Sequence, residues 1–261
     1  SPAAFEHIWY FTRTELLLRD DGLAVWKWDP NVRPHVTDTN NATDGDILIA
    51  YALALAGTAW KRNDYILAAS RMAQSLLAET VVRSAGRTLL MPGSEGFGAA
   101  DRDDGPVVNP SYWIYEAMPV MAALAPSGAW KELSDDGVAL LKTMQFGPRK
   151  LPAEWISLSG PPRPAKGFDA EFAYNALPCT LNLARGGIIN KPLLNRLRPG
   201  MSQDGIPPTI DLTTGRPQPV LLDPGYKIVN DVVACVVDGT RLPVSALQFA
   251  PTLYYPSTLP L

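Results

Sequence analysis

Residues 42–60 read ATDGDILIAYALALAGTAW, and this stretch decides the fold class. From Asp46 to Trp60 it is dense in Ala and Leu, two of the best helix formers. Thr43 stands where a side chain caps a helix, and Asp46, three positions on, completes an acidic variant of the capping box. The alanines at 50, 52, 54 and 56 let neighbouring helices approach closely on more than one side. Such a segment asks for other helices around it.

Working outward, apolar stripes at three- and four-residue spacing predict helices over 64–80 and 130–144. Weaker stripes predict further helices over 111–125, 170–185, 190–198, 225–238 and 241–250. Near the start, Phe5, Ile8, Trp9, Thr12 and Leu16 follow helical spacing. Near the end, YYPSTL (254–259) reads as a helix entry with Pro in the first turn. The β-prone stretches 88–91 and 219–222 predict small hairpins on loops. There is no strand–helix alternation and no Gly-rich phosphate loop, which excludes a doubly wound nucleotide-binding fold. The expectation is a single all-α domain over 1–261.

Composition narrows the function. The chain has 261 residues, 46% hydrophobic and 19% charged, enough for one large domain with a substantial core. Lys plus Arg number 23 against 26 Asp plus Glu, a net charge of −3, which argues against a nucleic-acid binder. No apolar run reaches the roughly 18–20 residues that span a bilayer. Two histidines and two cysteines offer neither zinc-ligand spacing nor a Ser-His-Asp arrangement, so no metal or organic cofactor is implied. Cys179 and Cys235 allow one bridge, but two small buried apolar side chains is the favoured reading. Any hydrolysis must rest on carboxylates.

The 25 prolines, about twice the usual ~5% share, mark long loops over 26–45, 92–110 and 145–168. Loops of this length usually carry function. Trp26, Trp28, Tyr112, Trp113 and Trp155 lie in or beside them, whereas Trp9, Trp60 and Trp130 read as packing. Acidic residues near aromatics suit a polysaccharide: sugar rings offer apolar faces for indoles and hydroxyl edges for Asp and Asn. DTNNATDGD (38–46) gathers three Asp and two Asn just before a helix. Like charges there raise one another's pKa, while the helix N-terminus favours the ionised forms. A plain cap and Asx-turn cluster explains the same residues equally well.

The segment Ala42-Thr43-Asp44-Gly45-Asp46, followed by Ile47, Ala50 and Trp60, resembles the signature of glycoside hydrolase family 8. In the same order AVWKWDPN (24–31), NPSYW (109–113), FAYNAL (172–177), DGIPPTIDLTTG (204–215) and YYPSTL (254–259) agree with it. The likeness extends to endoglucanases associated with bacterial cellulose synthesis, especially the rhizobial type. The resemblance implies an (α/α)6 barrel with a cleft across one end. It also implies endo-hydrolysis of β-1,4-glucan with inversion, a glucan or cello-oligosaccharide partner, and a secreted or periplasmic location. Position by position, it makes Asp44 the residue that binds and helps distort the sugar beside the scissile bond. Asp46 is the second signature Asp, for helix capping before substrate contact, and Tyr112 stands near the attacking water. Trp28 and Trp113 fall where a glucan could stack.

Two departures qualify this. The family's general acid is a Glu in a Ser-Glu-Gly-x-x-Tyr-Gly segment upstream of the helix that opens this sequence. No such segment occurs here, and Glu6 and Glu15 stand in the wrong context. The barrel is therefore expected to be incomplete at its ends and to lack an N-terminal segment. The usual general base, in a Tyr-Asp-Ala segment, corresponds to Tyr174-Asn175-Ala176, where an amide replaces the carboxylate. That leaves Asn175 as a substrate contact and Asp169, or else Glu171, as the base. A non-catalytic glucan-binding remnant is the alternative in another class. Chitosan, xylan and lichenan are alternative substrates, of which chitosan gains no support from a net charge of −3.

Overall fold

The computed structural model describes residues 1–202 and 207–259. The chain divides into two compact units, one made of residues 1–108 and 112–136, the other of 109–111 and 137–261. Asp204, Gly205 and Ile206, the first three residues of the DGIPPTIDLTTG motif, lie outside the described residues.

The first unit opens with α1 (Pro2–Phe11), which carries Pro in its first turn and runs on into a π-helical turn, Thr12–Leu16. Helices α2 (Thr43–Trp60) and α3 (Asn63–Glu79) follow as a packed pair joined by a two-residue link. Lys61 adopts a left-handed φ of 55° to end α2. Gly57 lets α3 come close, since a Cβ there would lie 2.6 Å from the Cδ1 of Ile66. Trp9, Leu53, Ala54, Ala56, Tyr65 and Ala69 form the shared core, with Phe5 and Trp60 packed on it edge to face. The hairpin β1 (Val81–Ser84) and β2 (Arg87–Leu90), the two-residue strand β3 (Val107–Val108) and α4 (Met118–Leu124) come next. Helix α5 (Ala129–Thr143) begins in this unit.

In the second unit β4 (Ile156–Ser157) pairs antiparallel with β5 (Arg163–Pro164). β6 (Glu171–Phe172) pairs with β7 (Pro208–Asp211), which pairs with β8 (Pro217–Val220). Helices α6 (Pro178–Arg185) and α7 (Lys191–Leu197) pack against α8 (Pro224–Asp238), and α9 (Tyr254–Thr258) adds a short final helix. Asn190 caps α7 by accepting from the Leu193 N–H, and Asp223 caps α8 by accepting from the Gly225 N–H.

The helices expected over 46–60, 64–80, 130–144, 190–198 and 225–238 form within a few residues of their predicted bounds. Three expectations need correction. Of 111–125, only Met118–Leu124 is α-helical, after a 3-10 turn at Pro110–Tyr112. Of 170–185, only Pro178–Arg185 is, because Pro178 lacks the N–H a preceding turn would need and takes the first helical position. Over 241–250 there is only a 3-10 turn, Val244–Leu247; Val244 and Phe249 stay exposed, so a helix there would bury no apolar face.

The capping reading also changes. The residue before α2 is Ala42, with no side-chain cap, and the Thr43 hydroxyl is buried without a partner. Cys179 and Cys235 are both free, and burial pushes the Cys179 thiol pKa up. Among the described residues, no helix is long and apolar enough to cross a membrane.

Candidate active site

In the first unit the site is built around the start of α2. Asp44 sits half-buried in the first turn, its Oδ1 accepting from the Gly45 N–H at 2.8 Å. Burial raises its carboxyl pKa. The Gly45 bond favours the ionised form and works against that burial.

Asp46 is placed differently from either reading made of it. It is 1% exposed, so no substrate reaches it, and it caps nothing. Its Oδ1 accepts from the Ala24 N–H at 2.8 Å and its Oδ2 from the Asn41 side-chain amide at 2.9 Å. Desolvation pushes its pKa up to about 7 in spite of those two bonds, which favour the ionised form. The residue ties the preceding loop to α2.

The tryptophans sort by exposure. Trp113 is 1% exposed and donates its indole N–H to the Leu133 carbonyl at 2.8 Å, which makes it a core residue with no face for a sugar. Trp28 is half-buried between Phe11, edge-on at 5.2 Å, and His35 at 4.6 Å. Trp26 is the indole that reaches solvent, 52% exposed, with its Nε1–H held by Asp38 at 2.8 Å. The Asn40 N–H and then this indole N–H hold the Asp38 pKa down. Tyr112, the last residue of the Pro110–Tyr112 turn, belongs to the same unit and is half-buried.

In the second unit Asn175 is half-buried and meets a residue that the sequence did not single out. Glu154, 7% exposed, accepts from the Asn175 backbone N–H at 2.7 Å and from its Nδ2 at 3.1 Å. The Glu154 N–H in turn donates to the Glu171 carbonyl. Glu171 is half-buried on β6, with its pKa raised by desolvation and then by the charges of Glu154 and Asp169. Asp169 is exposed; together with Glu171, Asp211, Thr213 and Gln218 it lines a cavity of about 290 Å³. Trp155 stacks on Phe168 at 4.6 Å. Nothing in LPAEW flags Glu154: a lone Glu in a proline-containing loop has no periodicity or spacing to mark it.

The catalytic carboxylates proposed from sequence thus fall into two groups, Asp44 with Tyr112 in one unit and Asp169 with Asn175 and Glu171 in the other. Residues 1–185 match the model of glycosyl hydrolases family 8. The chain belongs to that family. An endoglucanase from Cellulomonas uda is 37% identical over 183 residues, 69% of this chain. A probable endoglucanase from Novacetimonas hansenii is 31% identical over 258 residues, 97% of this chain. The family 8 chain spans half the length of the first and 74% of the second. Among solved structures, the endo-β-1,4-glucanase CMCax from Acetobacter xylinum matches with a TM-score of 0.87 at 30% identity, over 99% of this chain and 81% of the other. That likeness shows the fold, all-α and of the (α/α)6 type which the sequence resemblance implied.

Proposed function

We propose that this family 8 chain acts as an endo-β-1,4-glucanase, a single catalytic-type domain that hydrolyses β-1,4-glucan with inversion at the anomeric carbon. The observation that carries the reading is the 31% identity to a probable endoglucanase across nearly the whole chain. The site chemistry supports it. Inverting hydrolysis needs an acid for the leaving oxygen and a carboxylate to activate water on the opposite face of the sugar. Asp44, desolvated at the head of α2, binds the sugar beside the scissile bond, and Tyr112 stands by the attacking water. Trp26 supplies the stacking face in place of Trp28 and Trp113.

The base is a carboxylate close to Asn175, because an amide cannot take a proton at neutral pH. Of the two candidates, Glu171 has the better chemistry. Its pKa is raised toward the working range, which suits a general base, whereas Asp169 is exposed. We assign the acid to a Glu in a Ser-Glu-Gly-x-x-Tyr-Gly segment, a pattern that Ser94-Glu95-Gly96 starts but does not complete, since Phe97-Gly98-Ala99-Ala100 follow it. Turnover therefore requires such a segment, and binding does not. A secreted or periplasmic location fits a polymer that cannot enter the cytosol.

The test is reducing-end release from carboxymethylcellulose, with fresh products examined by proton NMR. Release as the α-anomer, in protein that carries the acid segment, is expected. Release from chitosan, xylan or lichenan alone moves the reading to those substrates. A second reading, glucan binding without turnover, is favoured by Asn175 at the base position with its amide held by Glu154. It is established if cello-oligosaccharides bind and no reducing ends appear even with the segment present.

A further inference from the structure

Asn41 and Asp46 take no chemical part in the function above, yet three segments of the first unit cross at them. Asn41 is 3% exposed. Its Nδ2 donates to Asp46, its Oδ1 accepts from the Ser94 N–H at 2.7 Å, and its own N–H donates to the Asn40 Oδ1 at 3.0 Å. Asp46 spends its other oxygen on the Ala24 N–H. Beside Ala24, Trp26 donates its backbone N–H to the Asn40 carbonyl at 2.9 Å. Asn40 reaches the third segment through Ser94, 3.2 Å away, and the Glu95 carbonyl at 3.0 Å. Arg19 closes the outside by donating to the Thr39 carbonyl and to Ser94. Apart from an isolated bridge between Val25 and Asn41, the 26–41 loop pairs with no strand. These side-chain bonds, with the backbone bonds from Trp26 to Asn40 and from Asp29 to His35, give it one place.

We propose that Asn41 and Asp46 are positioning residues for glucan binding: their buried amide–carboxylate pair sets where the exposed Trp26 indole stands relative to Asp44 in the first turn of α2. This rests on the glucan reading above. The argument turns on polarity. Asp46 is an acceptor at both oxygens, while Asn41 must donate on one side and accept on the other. Asp46→Asn keeps the shape and can keep the Ala24 bond, but it turns an NH₂ toward the Asn41 NH₂. Asn41 cannot turn its amide over to relieve this without losing the Ser94 N–H. Adding Asn41→Asp reverses the pair: the new carboxylate accepts from Ser94 and from the new amide, and every bond is restored.

Cellopentaose affinity of the 261-residue chain, measured by calorimetry at about pH 8 where Asp46 is ionised, reads this directly, with circular dichroism and thermal melting as fold controls. The single variant Asp46→Asn is expected to bind about tenfold more weakly, the equivalent of one lost hydrogen bond. The double variant Asp46→Asn/Asn41→Asp is expected to return to within about threefold of wild type. A single variant that binds as tightly as wild type overturns the proposal. So does a double variant that binds no better than the single, or that does not fold, because the exchanged pair keeps every bond. If only the single variant fails to fold, the double alone decides by the same threshold. A wild-type chain that does not bind cellopentaose overturns the glucan reading itself, before any variant is compared.

Discussion

Glu154 grips Asn175 twice, through the backbone N–H at 2.7 Å and the side-chain amide at 3.1 Å. A carboxylate this buried is tolerated because both oxygens are occupied by donors. The consequence at Asn175 is that one N–H of its amide is committed to Glu154, which fixes how the side chain is turned. An amide so held can orient a water molecule, but the proton must go elsewhere.

The first prediction concerns that grip. Glu154→Gln keeps an acceptor for the Asn175 backbone N–H but replaces the charged acceptor of the Asn175 amide with an NH₂, which that amide can meet only by turning over. A loss of about 1–3 kcal/mol in folding stability is expected from urea denaturation. The same change removes one of the charges that raise the Glu171 pKa, which should move back toward the ordinary glutamate range in a carbon-13 NMR titration. An unchanged Glu171 titration would show that burial and Asp169 set it without Glu154.

Glu171 and Asp169 can be separated by rate. If Glu171 is the base, Glu171→Gln lowers turnover on carboxymethylcellulose by roughly 10²–10⁴-fold and removes the acidic limb of the pH–rate profile. Asp169→Asn then changes turnover by less than about tenfold. The opposite ranking would give the base to Asp169.

The three loop tryptophans should part company under substitution. Trp26→Ala is expected to weaken cellopentaose binding by about tenfold, the worth of one aromatic contact, with little change in melting temperature. Trp113→Ala removes a fully buried indole and its bond to the Leu133 carbonyl, and should cost about 3–5 kcal/mol of stability. Trp28→Ala should fall between, because its ring packs against Phe11 and His35. A Trp113 variant of wild-type stability and lost affinity would return that residue to the binding surface.

These contrasts mark what sequence could and could not reveal. The long helices were legible because α2 is dense in Ala and Leu after Asp46 and because α3, α5 and α8 carry their buried residues at regular spacing. The stretch 170–177 misled for the same reason: Phe172, Ala173, Ala176 and Leu177 are buried, but on a strand and turns that lead up to Pro178. Asp44 stands out in sequence through its signature, and its place in the first turn of α2 follows from the helix pattern. The role of Asp46 was not legible, since its partners Ala24 and Asn41 come from the loop before the helix, not from its first turn. Trp26 and Trp28 are two residues apart in one motif, and only the positions of Asp38 and His35 decide which indole is open. Glu154 meets Asn175 across 21 residues, with no local pattern to announce it.

Asp46 gives the last prediction, through proton linkage. Its pKa rises from the ordinary 3.8 in the unfolded chain to about 7 in the folded protein. Between about pH 4 and pH 7 the folded state therefore keeps a proton that the unfolded state has released. The contribution to stability is fully present below pH 4, declines as pH rises through this window, and is gone above pH 7. The full amplitude is on the order of 4 kcal/mol, three pKa units at about 1.4 kcal/mol each. Carboxylates such as Asp21 and Asp38, whose pKa values are lowered, act in the opposite sense, so the raw stability profile mixes both. The difference between wild type and Asp46→Asn isolates the residue, because Asn does not titrate. Urea denaturation at a series of pH values should show the wild-type advantage shrinking steadily from pH 4 to pH 7 and levelling off beyond. A difference independent of pH would mean that Asp46 is ionised throughout, held by Ala24 and Asn41 more strongly than burial opposes it.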